Sequence, residues 1–249
     1  MKKTLVIIVS ILTLTYSTTI CRAQEKFKAS ISMGPVFPLG EFKSADINSA
    51  KAGYAQSGFT LNVDGDYFIN NQFSFSMRFH FGNASINQSG NTKQLYSGLK
   101  KYYNTSDTTE YDISFWQWAS PQIGCKFHYP LVVNKLYLEA GAFTGISINQ
   151  IPDQNAVYKD VKKDQLVISQ NDGNNDISMP LSLCAGCRIQ ISKTMQCKVN
   201  LEYFRTNITY SHSIYTQSSE TSNKTFISGS DYKIPIQTFD ASIGLVYSF

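Results

Sequence analysis

Long hydrophobic runs are what this sequence most lacks. Beyond residue 23 no apolar stretch approaches roughly 18 residues, the length a spanning helix requires, so no helix of this region crosses a membrane. Charge is also sparse, with Asp, Glu, Lys and Arg making up 16% of the chain. Histidine is rarer still, and the three present, His80, His128 and His212, form no metal-ligand spacing with cysteine or acidic residues. No cofactor, metal or catalytic set is expected. Cysteine is scarce as well. Apart from Cys21 the chain has Cys125, Cys184, Cys187 and Cys197, and one C-x-x-C at Cys184-Ala185-Gly186-Cys187. On a strand, residues three apart point to opposite faces, so that pair can neither form a disulfide nor share a metal. These thiols read as small wall fillers.

The first residues are an exception to the lack of hydrophobic runs. Lys2 and Lys3 precede an apolar stretch from Leu5 to Leu14, and Cys21-Arg22-Ala23 precedes Gln24. A short apolar core behind a basic start, ending on small residues, predicts a signal peptide over residues 1–23 and a mature domain over 24–249. Cleavage removes three of the 22 cations and none of the 18 anions, so the formal charge falls from +4 to +1. A basic surface for nucleic acid is thereby excluded.

What the chain has in abundance is aromatics, 16 Phe and 15 Tyr, set among Ser, Thr, Asn and Gly in alternation. Aromatic enrichment and period-2 patterning predict strands with two unlike faces. Eight are expected, at 26–36, 57–69, 73–84, 113–129, 135–148, 177–191, 195–210 and 234–249. In the third, Phe73, Phe75, Met77, Phe79 and Phe81 share one face, and Ser74, Ser76, Arg78, His80 and Gly82 the other. In the last, Phe239, Ala241, Ile243, Leu245, Tyr247 and Phe249 oppose Thr238, Asp240, Ser242 and Ser248.

Short turns alternate with long polar connections at 37–56, 85–112, 149–176 and 211–233. An even-stranded meander with short turns on one rim and long loops on the other predicts an eight-stranded antiparallel up-and-down transmembrane β-barrel of a bacterial outer membrane. The competing reading is a water-soluble barrel with its apolar face inside. Aromatics near both strand ends favour lipid: Trp116 or Phe115 toward the loops, and Tyr67, Phe73, Phe127, Tyr129, Tyr247 and Phe249 toward the turns.

The leader, the first strand running into Gly34-Pro35-Val36-Phe37-Pro38-Leu39-Gly40, and the aromatic last strand together resemble the small PorT-like outer-membrane barrels of Bacteroidota. That resemblance implies a barrel surrounded by outer-membrane lipid. It also implies that Tyr247 and Phe249 are similar to the signal read by the barrel-assembly machinery.

Parity sets the expected lumen. A short turn at Asn70-Asn71-Gln72 places Asp64 opposite Arg78, and a four-residue turn over 131–134 places Lys126 opposite Glu139. Arg188, Lys198, Glu202 and Asp240 complete the set of luminal ion pairs. Eight strands leave an interior that side chains fill, so a plugged lumen is expected, with a narrow porin-like channel as the alternative. In loop 85–112, Tyr96, Tyr102, Tyr103 and Tyr111 lie among small polar residues, a composition suited to binding an extracellular or secretion partner. A rim hydrolase would have to use His212, in Ser211-His212-Ser213; a lone histidine among serines argues instead for a non-enzymatic protein.

Overall fold

The computed structural model describes residues 26–46, 51–87, 105–113, 115–133, 135–152, 154–160, 165–171, 175–218 and 224–249. Its elements are β1 (Phe27–Pro38), α1 (Gly40–Lys43), β2 (Ala55–Phe68), β3 (Phe73–Ile86), β4 (Thr105–Ile113), β5 (Trp116–Val132), β6 (Leu136–Gly145), β7 (Ser147–Gln150), β8 (Gln154–Asp160), β9 (Gln165–Asn171), β10 (Asn175–Ser178), β11 (Leu181–Gln190), β12 (Met195–Ser218) and β13 (Lys224–Ser248).

Eight of these strands form a closed ring. The ladders run β1–β2–β3–β5–β6–β11–β12–β13, every pair antiparallel. The ring closes where β13 returns to β1, from Lys28 opposite Ser248 to Pro38 opposite Thr238. Closure removes the unpaired edges that hydrocarbon would penalise. The seam is finished by the amide of Phe249, which donates to the carbonyl of Phe27 at 3.3 Å, and by the two rings, whose centroids lie 5.5 Å apart.

Alternation decides which face is inside, and it is inverted relative to a water-soluble protein. On β3, Ser74, Ser76, Arg78 and His80 are buried while Phe73, Phe75, Met77 and Phe79 are exposed, Met77 by 63%. Val63, Ile123, Leu138, Leu183, Leu201 and Ile243 are exposed on the strands around the ring. A contiguous apolar exterior around a polar interior is stable only with lipid outside. The chain is a transmembrane β-barrel, and a barrel of this kind belongs to a bacterial outer membrane. No helix among the described residues is long and apolar enough to cross a membrane. At the turn rim Tyr67, Tyr129, Tyr247 and Phe249 face outward, and Phe37, Phe59, Phe115 and Phe239 do so toward the loops, where amphipathic rings suit the two interfaces. Trp116 departs from this pattern. It is 2% exposed and points into the barrel, so Phe115, at 49%, supplies the aromatic there.

The described parts of the long connections carry further strands. They contain β4, β8 and β9, and β12 and β13 run on as a hairpin to Gln217 opposite Lys224. Beyond the ring, β9 joins the upper part of β12, β8 joins β9, and β4 joins β8. The sheet therefore extends past the barrel mouth. Thr and Tyr scattered among polar residues without strict alternation carry little strand signal, and pairing to an existing edge supplies what propensity lacks.

One register differs from expectation. Lys126 stands opposite Gly141, and His128 stands opposite Glu139. The ladder slips at Pro130 and Val132, and the turn closes through the Lys135 amide to the Val132 carbonyl at 3.0 Å. Proline donates no ladder hydrogen bond, so the bulge falls there. The slip is two residues relative to the expected pairing, so both side chains keep their luminal face while their partners change.

Candidate functional site

The lumen has two zones, a charged one toward the turns and an apolar one toward the loops. In the charged zone Arg78, Lys126, Arg188 and Lys198 meet Asp64, Asp66, Glu139 and Glu202, with Asp240 alongside, and all are at most 6% exposed. Buried charges persist only when paired.

Asp64 is the hub. Its carboxylate accepts from Arg78 Nε at 2.7 Å, Lys198 Nζ at 2.6 Å and Lys126 Nζ at 3.0 Å. These donors come from β3, β12 and β5, so one β2 side chain ties together strands that are not all neighbours in the ring. Arg78 also donates through Nη1 to Glu202 Oε2 at 2.7 Å, and its guanidinium carbon lies 3.9 Å from the centre of the Phe143 ring. Lys126 reaches Asp66 Oδ1 at 2.8 Å, and Ser76 Oγ donates to the same oxygen at 2.7 Å.

Nearer the turns, Glu139 Oε1 lies 2.5 Å from Arg188 Nε and 2.9 Å from His128 Nδ1. The Arg188 contact is an ion pair without an aligned hydrogen bond. His128 Nε2 is 2.8 Å from Ser74 Oγ. Asp240 departs from the expected ion-pair set. Among the described residues the nearest basic nitrogen is His80 Nε2 at 3.7 Å, and the residue opposite is Glu202.

His80 joins the two zones. Trp118 Nε1–H donates to His80 Nε2 at 2.9 Å, so that nitrogen carries the lone pair, and Nδ1–H donates to Asn62 Oδ1 at 2.7 Å. The His80 and Phe204 rings stack at 4.7 Å and 14°, and Trp118 lies 5.9 Å from Phe204 at 12°. Gly82 makes room for this stack, since a Cβ there would stand 2.3 Å from the Trp118 indole.

Above the stack the interior turns apolar. Val36, Phe42, Tyr54, Trp116, Ile208, Ile234 and Ile236 form one buried cluster with Trp118 and Phe204. Phe42 comes from α1, outside the barrel wall, and its ring meets Trp116 edge-on at 5.5 Å. Trp116 Nε1–H donates to the Gly53 carbonyl at 3.0 Å, tying the end of the same connection to the wall.

Sequence reading missed Asp66 and His128 as luminal partners and overlooked this apolar zone. Even-numbered Phe204, Ile208, Ile234 and Ile236 follow the luminal parity of their strands, so the signal was present on the strands. Phe42 carries no such signal. Of the expected loop contacts, Tyr96, Tyr102 and Tyr103 lie outside the described residues. Tyr111 falls on β4, opposite Ala156. His212 is in the β12–β13 hairpin opposite Ser230, not in an irregular loop. Cys125, Cys184, Cys187 and Cys197 are all free thiols.

No protein-family model matches the chain, and no curated protein matches its sequence. Solved outer-membrane structures resemble it in fold at low identity. Neisserial surface protein A is 11% identical over 92% of this chain and 100% of that one, with a TM-score of 0.44. The attachment invasion locus protein Ail of Yersinia pestis is 11% identical over 90% and 99%, with a TM-score of 0.40. The outer membrane protease OmpT of Escherichia coli is 10% identical over 93% and 99%, with a TM-score of 0.44.

Proposed function

We propose that this chain is a non-conducting, non-enzymatic outer-membrane barrel of the PorT-like kind, exported by residues 1–23, whose business is done at the loop end by binding a partner outside the cell or in a secretion assembly. The observation that carries the reading is the filled lumen. A pore wide enough for water would leave its lining side chains in contact with solvent. Instead Arg78 is 3% exposed, Lys126 and Lys198 2%, and Trp118 1%. The sheet formed beyond the mouth by β4, β8, β9 and the upper β12–β13 hairpin supports the binding role, because it offers a broad paired surface. Engagement of His80 and His128 inside the lumen supports the non-enzymatic reading.

In planar bilayers the purified barrel is expected to give no discrete single-channel steps. Reproducible steps that vanish on substituting a luminal charge would replace this reading with the narrow channel. Co-purification from the native membrane identifies the partner; recovery of the barrel alone under mild extraction counts against a stable complex.

The seam supports a further part of the proposal, recognition of the last strand by the barrel-assembly machinery. Tyr247 and Phe249 pack against each other at 5.0 Å on the lipid side and meet β1 at the closing edge. Phe249→Ala is expected to lower the amount inserted in cells while refolding of purified chains into detergent changes little. Equal losses in both settings would make Phe249 a packing residue and nothing more.

A further inference from the structure

The outer face of the barrel is not evenly rough. Across β5, β6 and β11 the ladders set Tyr129 beside Leu138 and, one step farther from the turns, Phe127 beside Ala140 and Ala140 beside Ala185. Leu201 follows Ala185 on β12. Two alanines between a phenylalanine and a leucine leave a trough, because their side chains stop at Cβ while Phe127 and Leu201, 38% and 44% exposed, stand out on either side. Leu138 and Gly186 complete a groove of about 410 Å³.

The groove lies within the lipid-facing surface, so a hydrocarbon chain covers it when the barrel is in its membrane. Glu139, between Leu138 and Ala140, turns its carboxylate inward to Arg188 and His128 and brings no charge to the outer face. Ala140 stands five residues from Lys135, about 17 Å along an extended strand. One leaflet of a hydrocarbon core about 30 Å thick has a similar depth. The groove therefore runs from the interface toward the middle of the bilayer, the span of one acyl chain.

Contact with hydrocarbon selects no particular lipid, but the turns above the groove do. Lys135 precedes β6 and Lys193 follows β11, the two strands that supply the alanines, and both lysines are exposed. The Gln190 amide donates to the Lys135 carbonyl at 2.8 Å and holds the two turns side by side. No Asp or Glu occurs over 129–138 or 187–199. Two cations without an anion of their own turns attract an anionic headgroup. Tyr129, 51% exposed, supplies an interface ring between them and the groove. Short turns of such barrels face the periplasm, so the headgroup belongs to the inner leaflet.

We propose that β5, β6 and β11 form a site for one anionic phospholipid of the inner leaflet, with an acyl chain in the Ala140–Ala185 trough and the phosphate at Lys135 and Lys193. The site lies at the opposite end of the barrel from the loop-end partner and does not depend on it. A second copy of the barrel is the poorer occupant. Two-fold pairing through this face would bring the same lysines of both copies together on one rim, whereas a phosphate compensates them.

The full barrel, checked for folding by its heat-shifted gel mobility, is titrated in detergent with dioleoylphosphatidylglycerol or dioleoylphosphatidylcholine, and bound lipid is counted by native mass spectrometry. The parent is expected to take up one phosphatidylglycerol, at least about tenfold tighter than the zwitterion with the same chains. Lys135→Gln should weaken phosphatidylglycerol about fivefold and leave phosphatidylcholine unchanged. Ala140→Leu and Ala185→Leu fill the trough with side chains that the lipid face tolerates, and each should weaken phosphatidylglycerol at least about tenfold. Ala29→Leu, on β1 across the ring, should match the parent. Equal retention of the two lipids overturns the proposal, because charge then selects nothing. Unchanged affinity in both alanine variants overturns it as well, because no trough then seats the chain. A paired barrel that Ala140→Leu separates would make this face a subunit interface instead.

Discussion

Asp64→Asn is expected to destabilise the barrel by roughly 3–5 kcal/mol, the cost of removing one member of a buried charge pair. The substitution keeps the volume and takes away the one carboxylate that Arg78, Lys126 and Lys198 share. Arg78 retains Glu202 and Lys126 retains Asp66, but Lys198 has no other anion within ion-pair distance among the described residues. Urea unfolding in lipid vesicles measures the loss. Asp240→Asn provides the contrast. Asp240 has no lysine or arginine partner among the described residues and faces Glu202, so its neutralisation should cost far less. A double-mutant cycle with Asp64→Asn and Arg78→Gln should show coupling of about 0.5–3 kcal/mol. Purely additive losses, or equal costs for the two aspartates, would contradict the hub arrangement.

Met77→Arg should cost about 2–4 kcal/mol, because Met77 stands mid-strand on the lipid face, where a cation at the bilayer midplane is penalised by that amount. Its neighbours along the same face are Phe73, Phe75, Phe79 and Phe81, and Met77 itself is 63% exposed. On a water-facing surface the same change would be nearly neutral, within roughly 0.5 kcal/mol. The experiment therefore reads the solvent directly: unfolding free energy in vesicles, parent against variant. A cost inside the neutral range would place β3's outer face in water and overturn the transmembrane assignment.

How much of the structure was legible varies with how local its cause is. The eight strands follow from alternation that each strand carries by itself; all eight appear, six near their expected bounds and β12 and β13 extended to Ser218 and back to Lys224. The Asp64–Arg78 register follows from a turn too short to allow another pairing, as Ile69 N to Phe73 O at 2.9 Å shows. Where a turn could bulge, as at Pro130, parity preserved the faces but not the partners. Strands β4, β8 and β9 left no pattern to read, because their pairing is to an edge that exists only once the ring is built.

The amino-acid order alone determined the faces: odd-numbered Phe73 to Phe81 outward, even-numbered Ser74 to His80 inward, and with them the membrane as solvent. A period of two is a property of the extended backbone and needs no partner to be read. The tertiary structure alone decided which residues meet across the lumen. Lys198 reaches Asp64 over a separation of 134 residues, and Phe42 reaches Trp116 from a connection with no periodicity. Those contacts depend on the stagger and closure of the ring, which set the height of each side chain in the interior. No local pattern encodes that height, because it is a sum over all eight registers.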